Sequence, residues 1–255
     1  MKIFKNALFK TLRFAAIAII VYLCMAAYLL ISERRLSFPR AERDEASESV
    51  LRQGALRCQT KDGKWLSGFI SGDSSLSTVL YFADRGEDAA TFLAHAKNIP
   101  GFRFAAFNYR GSAGSEGSPK EKFLAEDILA MIGCAGAEDA VFLGHGTGAI
   151  AAYNSLAQGF GRGAVLVDPE ESFKSALSSR YRIFFPEFLA RTKTRMNFET
   201  PVPASKVTVV LDDPRRKDAV ERLLKKRPEA FTVQNRGGAS LLEVLTGILG
   251  KMKTN

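Results

Sequence analysis

Three glycines at alternate positions, Gly144, Gly146 and Gly148, stand where an apolar run at 140–143 gives way to a helix-forming segment at 147–158. A chain that turns from strand to helix within so few residues brings two backbones closer than a Cβ allows, and glycine permits that approach. Such a turn belongs to a βα crossover, and so to a parallel sheet with helices packed on its faces. The flanking sequence keeps the same rhythm. Strands are predicted at 55–60, 64–71, 78–83, 102–108, 140–143, 163–167, 206–211 and 230–234, the first two joined through the Asp62-Gly63 turn. Helices are predicted at 87–98, 147–158, 218–226 and 241–252, with another opened by Ser118-Pro119-Lys120-Glu121, which reads as a capping box with proline in the first turn. Residues 169–200 carry no strand pattern and are expected to form a helical cap over the carboxyl edge of the sheet. The chain has no internal repeat and no low-complexity tract.

Residues 14–31 contain no charge, and as a helix they would extend roughly 27 Å, close to the thickness of a bilayer's hydrocarbon core. Basic residues on both sides and Tyr22 and Tyr28 suit an anchor. A cleaved signal peptide is the competing reading, but the run is long for one and offers no small-x-small site before Glu33-Arg34-Arg35. The expected organisation is an amino-terminal anchor at 1–35 with a single membrane span at 14–31, a polar linker at 36–50, and one domain at 51–255. Membrane localisation with one pass follows, and the balanced Lys and Arg flanks leave the orientation open. Of the formal charge of +9, the anchor's flanks hold +5, leaving only +4 from residue 36 onward. That balance argues against a nucleic-acid partner and for the bilayer as the partner. The basic stretches Arg215-Arg216-Lys217 and Lys225-Lys226-Arg227 read as solvated faces.

Three cysteines give no disulfide framework and no metal-type spacing. Cys58 and Cys134 read as buried small side chains, with a bridge between them the alternative in an oxidising compartment. No cofactor and no metal site is expected.

The segment Asn108-Tyr109-Arg110-Gly111-Ser112-Ala113-Gly114-Ser115-Glu116-Gly117-Ser118-Pro119 resembles the D-Y-R-G-x-G-x-S-x-G-x-P run of membrane-anchored α/β-hydrolases, which are serine hydrolases with one short amino-terminal anchor. Asn108 departs from the family's aspartate and Ala113 from its glycine. Four further segments resemble the family in order: Leu36-Ser37-Phe38-Pro39, Asp62-Gly63-Lys64-Trp65-Leu66-Ser67-Gly68, Glu126-Asp127 and Asp168-Pro169-Glu170-Glu171-Ser172-Phe173. The resemblance implies an α/β-hydrolase fold: a mostly parallel central sheet with helices on both faces, preceded by one transmembrane helix. It also implies that Arg110 braces its loop through hydrogen bonds.

Serine hydrolysis needs a nucleophile on a strained elbow, a histidine, an orienting carboxylate and backbone N–H groups facing the oxyanion. The elbow G-x-S-x-G maps onto Gly144-His145-Gly146-Thr147-Gly148, so Gly146 stands at the nucleophile and has nothing to attack with. The family's histidine follows the last strand, where Asn235-Arg236-Gly237-Gly238-Ala239-Ser240 contains none and Ala239 is the best match. Only His95 and His145 exist, one on a helix and the other beside the elbow, pointing away from any acyl group. Asp213 or Asp212 keeps the acid position. In the oxyanion region Thr147 is retained, while Ala83-Asp84-Arg85 replaces H-G-N and sets Asp84 against a developing negative charge.

The expected function is therefore a non-catalytic pseudoenzyme acting as a binding or scaffolding module at a membrane. A small apolar ligand or ester is the class that a pocket beneath 169–200 would take, and the protein partner is unknown. An active esterase or lipase with a rearranged site is the alternative, with Ser112, Ser115, Thr147 and Ser172 as its candidate hydroxyls. A minor alternative is dinucleotide binding, because Gly144-His145-Gly146-Thr147-Gly148-Ala149 fits G-x-G-x-x-A and Asp168 lies about 20 residues beyond.

Overall fold

A computed structural model describes residues 2–181, 184–192, 196–203, 206–226, 231–235 and 237–254. Among these, eight strands form one sheet in the order β1-β2-β4-β3-β5-β6-β7-β8. They are β1 (Ala55–Gln59), β2 (Trp65–Ser71), β3 (Ser77–Phe82), β4 (Phe102–Phe107), β5 (Val141–His145), β6 (Gly163–Val167), β7 (Val207–Leu211) and β8 (Thr232–Asn235). β2 pairs antiparallel with β1 and β4, and every other pairing is parallel. Parallel pairing needs crossovers, and α3 (Ala89–Ala96), α4 (Glu121–Ala135), α5 (Gly148–Ala157) and α7 (Lys217–Lys226) supply them; α8 (Leu241–Thr254) follows the last strand.

Strand side chains alternate between two cores, as a sheet covered on both faces requires. Leu80, Phe82 and Phe142 pack with α4, α5 and α7, whereas Val79, Tyr81, Val141 and Leu143 pack with α3 and α8. The strands lie within about two residues of their sequence-predicted bounds. Ala230 and Arg227, at the predicted start of β8 and the end of a basic stretch, lie outside the described residues.

Several expectations need correction. α4 begins later than expected, at Glu121 after Lys120, which makes no side-chain cap, so Ser118 and Pro119 belong to the preceding loop. The 36–50 segment is packed against the domain. It contains α2 (Glu45–Val50), capped by Asp44, and Asp44 N donates to Asp88 Oδ2 at 2.8 Å. The expected span at 14–31 lies within the amino-terminal helix α1, which runs over Lys2–Ser37. Its stretch Phe9–Glu33 is long and apolar enough to cross a membrane and is only 11% buried, which separates it from an ordinary core helix. Cys58 and Cys134 form a disulfide, with Cα atoms 5.8 Å apart, that ties β1 to α4. Their reading as free buried thiols fails because β1 lies at the sheet edge against α4, where the two side chains converge. Within the 169–200 region, apart from the residues outside the description, the chain forms α6 (Phe173–Tyr181) and a 3-10 turn at Glu187–Leu189.

The loop after β4 is built around Arg110. Its guanidinium donates to both oxygens of Asp127 at 2.6 Å and to both oxygens of Asp62 at 2.6 and 2.7 Å, and it lies 4.4 Å from the Phe123 ring. Asp127 first and Asp62 second hold the guanidinium above its ordinary pKa. Ala113 sits at φ 36° in the left-handed region. Ala113→Gly should therefore gain roughly 0.5 kcal/mol, the relief of that conformation exceeding the lost methyl packing. Urea unfolding reads this directly, and a lowered midpoint would count against it.

Candidate active site

β5 delivers the glycine cluster to the carboxyl edge of the sheet, and α5 leaves from it at once. A Cβ on Gly148 would collide with the Phe82 carbonyl, and one on Gly144 with the backbone of Ala149. These two glycines let the elbow pass against β3 and α5. Gly146 takes the elbow conformation itself, at φ 52°. Its N–H donates to Val167 O at 2.9 Å, and its carbonyl accepts from Glu170 N at 3.1 Å.

The space that a side chain on Gly146 would use is taken by Asp84. A Cβ there would fall within contact of all three carboxyl atoms, 2.6 Å from Oδ2. Asp84 Oδ1 accepts from the Thr147 N–H and the Thr147 hydroxyl, both at 2.8 Å. The carboxylate thus caps the amino terminus of α5, where unpaired N–H groups and the helix dipole favour an anion. Arg216 completes the cradle, pairing with Asp84 Oδ2 at 3.6 Å and, more closely, with the buried Glu170 carboxylate. The other donors of this region are also engaged: Arg85 N with Thr147 Oγ1 at 3.2 Å, and Asp84 N with Glu87 Oε2 at 3.0 Å. Burial, opposed by Asp84, draws Arg85 below its ordinary pKa, and Arg85 Nη2 donates to Ala176 O at 2.8 Å in α6.

Neither histidine serves this space. His145 turns to Glu87, its Nδ1 3.0 Å from Oε2, while Glu87 Oε1 accepts from the Tyr81 hydroxyl at 2.7 Å. Burial would pull His145 down, but the Glu87 hydrogen bond and the Glu87, Asp84 and Asp168 charges outweigh it and raise its pKa. His95 is exposed on α3, with Nδ1 2.9 Å from Thr91 O in its own helix. Both histidines line a cavity of about 320 Å³ together with Asp212 and Leu241. Ala239 is half-buried before α8, packed on the α3–α8 core. The next residue, Ser240, makes a capping box with Glu243. Arg236, in the same segment, lies outside the described residues.

Asp213 caps the short helix Pro214–Arg216 and pairs with Arg215, whose hydrogen bond lowers its pKa. Asp168 accepts from the N–H groups of Asp212 and Asp213 at 2.8 and 2.9 Å. Burial raises the Asp168 pKa, with those N–H groups opposing. The candidate hydroxyls serve the backbone: Ser112 Oγ accepts from Ala41 N, Ser115 Oγ donates to Asn108 O, and Ser172 Oγ accepts from Ser175 N. Beside the elbow, Phe38, Tyr109, Leu124, Thr147, Ala151 and Phe173 line a cavity of about 40 Å³. The Phe38 and Phe173 rings, 5.0 Å apart, bring the 36–50 segment against α6 there.

No family model matches the chain, and no curated protein sequence matches it. Solved structures do. An esterase from Pyrococcus furiosus superposes with a TM-score of 0.58 over 85% of this chain and 95% of its own, at 15% identity. The chain has the α/β-hydrolase fold. A putative aryl esterase from Burkholderia cenocepacia agrees (TM-score 0.57, 14% identity, 79% of this chain and 100% of that one). So does a membrane phospholipase A described as a bacterial virulence factor (TM-score 0.54, 14% identity), over 98% of this chain and 100% of its own.

In a hydrolase-fold elbow, the oxyanion is held by the N–H of the residue after the nucleophile and by one from the loop after β3. Here those groups correspond to the N–H of Thr147 and of the 83–85 loop, and side chains of the same protein already occupy them. The same geometry disfavours dinucleotide binding. The cluster follows the fifth strand instead of the first, the α5 terminus faces Asp84, and Asp168 is spent on backbone N–H groups. Sequence reasoning anticipated Asp84 as an obstacle but missed Arg216, Glu170 and Glu87 as its supports. Arg216 was legible only as part of a charged stretch.

Proposed function

We propose that the protein is a membrane-anchored, non-catalytic hydrolase-fold protein that acts as a binding or scaffolding module. The observation that carries this reading is the Asp84 carboxylate lying in the volume of the missing nucleophile and bonded to Thr147 N. A negative charge fixed there opposes the oxyanion that ester hydrolysis must build. The absence of a histidine hydrogen-bonded to any candidate hydroxyl among the described residues supports the same reading. The cavity of about 40 Å³ beside Thr147 accommodates a few waters and not an acyl chain, whereas the one of about 320 Å³ on the His145 side leaves room for a small ligand. The apolar, exposed stretch of α1 supports the anchor, and the Cys58–Cys134 bridge supports a domain on the oxidising side of the membrane.

Two measurements test the reading. A fluorophosphonate probe is expected to leave the protein unlabelled, and labelling abolished by changing Ser112, Ser115, Thr147 or Ser172 would restore the esterase alternative. Gly146→Ser is expected to show no esterase turnover and to lose about 2–3 kcal/mol of stability, because the new side chain evicts the Asp84 cap and sits at positive φ. Turnover by that variant would reveal a general base overlooked near the elbow.

A further inference from the structure

Along α1, Ala26, Leu29, Glu33 and Ser37 are buried, and their spacing puts them on one helical face. That face is docked on the chain that follows β6. Leu29 packs with Leu177 of α6 and with Phe185, the Tyr22 ring stands 6.2 Å from Phe184, and Glu33 Oε1 accepts from Thr192 N at 2.6 Å and Thr192 Oγ1 at 2.7 Å. The segment around Phe184 therefore has a fixed height on the helix. From Tyr22 to Ile31, the end of the uncharged run, an α-helix rises roughly 14 Å. Phe184 consequently lies about that far inside the end of the apolar run.

The surface of this segment suits a course from that depth up to the headgroups. Phe188 is 81% exposed and Phe184 39% exposed. Among the described residues of 173–192, Lys174, Arg180 and Arg191 stand against a single acid, Glu187. Exposed aromatic rings flanked by an excess of cations match the boundary between acyl chains and anionic headgroups. If residues 14–31 fill a hydrocarbon core of about 30 Å, docked Phe184 reaches roughly its middle, while Leu189 and Thr192, held near Leu29 and Glu33, stay close to the headgroups of the near leaflet.

We propose that the segment carrying Phe184 and Phe188 is a second membrane contact, inserted in the near leaflet beside α1 with its flanking cations on anionic headgroups. The proposal rests on α1 being a membrane span, and the experiment separates the two. Full-length protein is reconstituted in vesicles of phosphatidylcholine and phosphatidylglycerol whose acyl chains are brominated near the headgroup or near the methyl end. Two single-tryptophan variants are compared, Trp65→Phe/Phe188→Trp and Trp65→Phe/Ile20→Trp. Emission from position 188 should fall about twofold with the shallow bromines, and emission from position 20 about twofold with the deep ones. Quenching at position 20 without quenching at 188 overturns the second contact and leaves the anchor standing. Quenching at neither overturns the anchor and, with it, the proposal.

Discussion

Replacing Cys58 and Cys134 together by alanine should lower the unfolding free energy by about 3–5 kcal/mol. The bridge closes a loop between positions 76 apart in sequence, and for a loop of that size the chain-entropy account gives roughly 4.5 kcal/mol. What it joins sharpens the expectation. β1 is the terminal strand of the sheet and pairs only with β2, so without the bridge its hold on the domain depends on one ladder and on packing against α4. Denaturant unfolding of the full chain in detergent, with and without reductant, measures the effect. The double variant should unfold at the same midpoint in both conditions, and the wild type should fall to that midpoint only when reduced. Equal midpoints for oxidised wild type and variant would remove the bridge from the account of stability.

The same bridge marks a limit of sequence reading. The strand and helix order was legible because βα units repeat their apolar runs, and Gly163–Val167 matches its predicted bounds to the residue. The bridge between Cys58 and Cys134 could be named only as an alternative, since local periodicity carries no information about which helix faces an edge strand. The start of α4 failed for a related reason. Ser118-Pro119-Lys120-Glu121 has the letters of a helix start, but the chain enters α4 only at Glu121, after the loop that Arg110 braces. At the site, Gly146 and Ala239 are visible as letters. That Asp84 fills the gap could not be read, because the loop after β3 and the elbow after β5 lie more than 60 residues apart and meet only through the sheet. Glu33 offered a signal that went unused, a lone acid on the same helical face as Ala26, Leu29 and Ser37.

Arg110→Met should cost about 3–5 kcal/mol and leave little folded protein at physiological temperature. Arg110 and Asp127 are both almost fully buried, with side chains 4% and 5% exposed. Removing the cation leaves Asp127 charged in a site that burial already makes unfavourable to ionisation. Arg110→Lys should recover only part of the loss, because one ammonium cannot reproduce donation to four carboxylate oxygens. Adding Asp127→Asn to Arg110→Met should restore stability relative to the single variant, since no buried charge then remains unpaired. If the double variant is less stable than Arg110→Met alone, the uncompensated charge is not the cause.

Asp84 and Gly146 also bear on how such a chain can change. A serine introduced at 146 meets a carboxylate, and a neutral residue introduced at 84 strips the start of α5 of its cap while supplying no nucleophile. Each reversal is unfavourable while the other residue stays as it is, so the two positions are thermodynamically coupled across the sheet. On the non-catalytic reading proposed above, a lineage carrying both residues stands behind a barrier: a first step towards serine chemistry loses stability and gains no activity to select. The carboxylate that fills the elbow thus acts as a ratchet, holding the fold in a state from which single substitutions lead only downhill in fitness for either role.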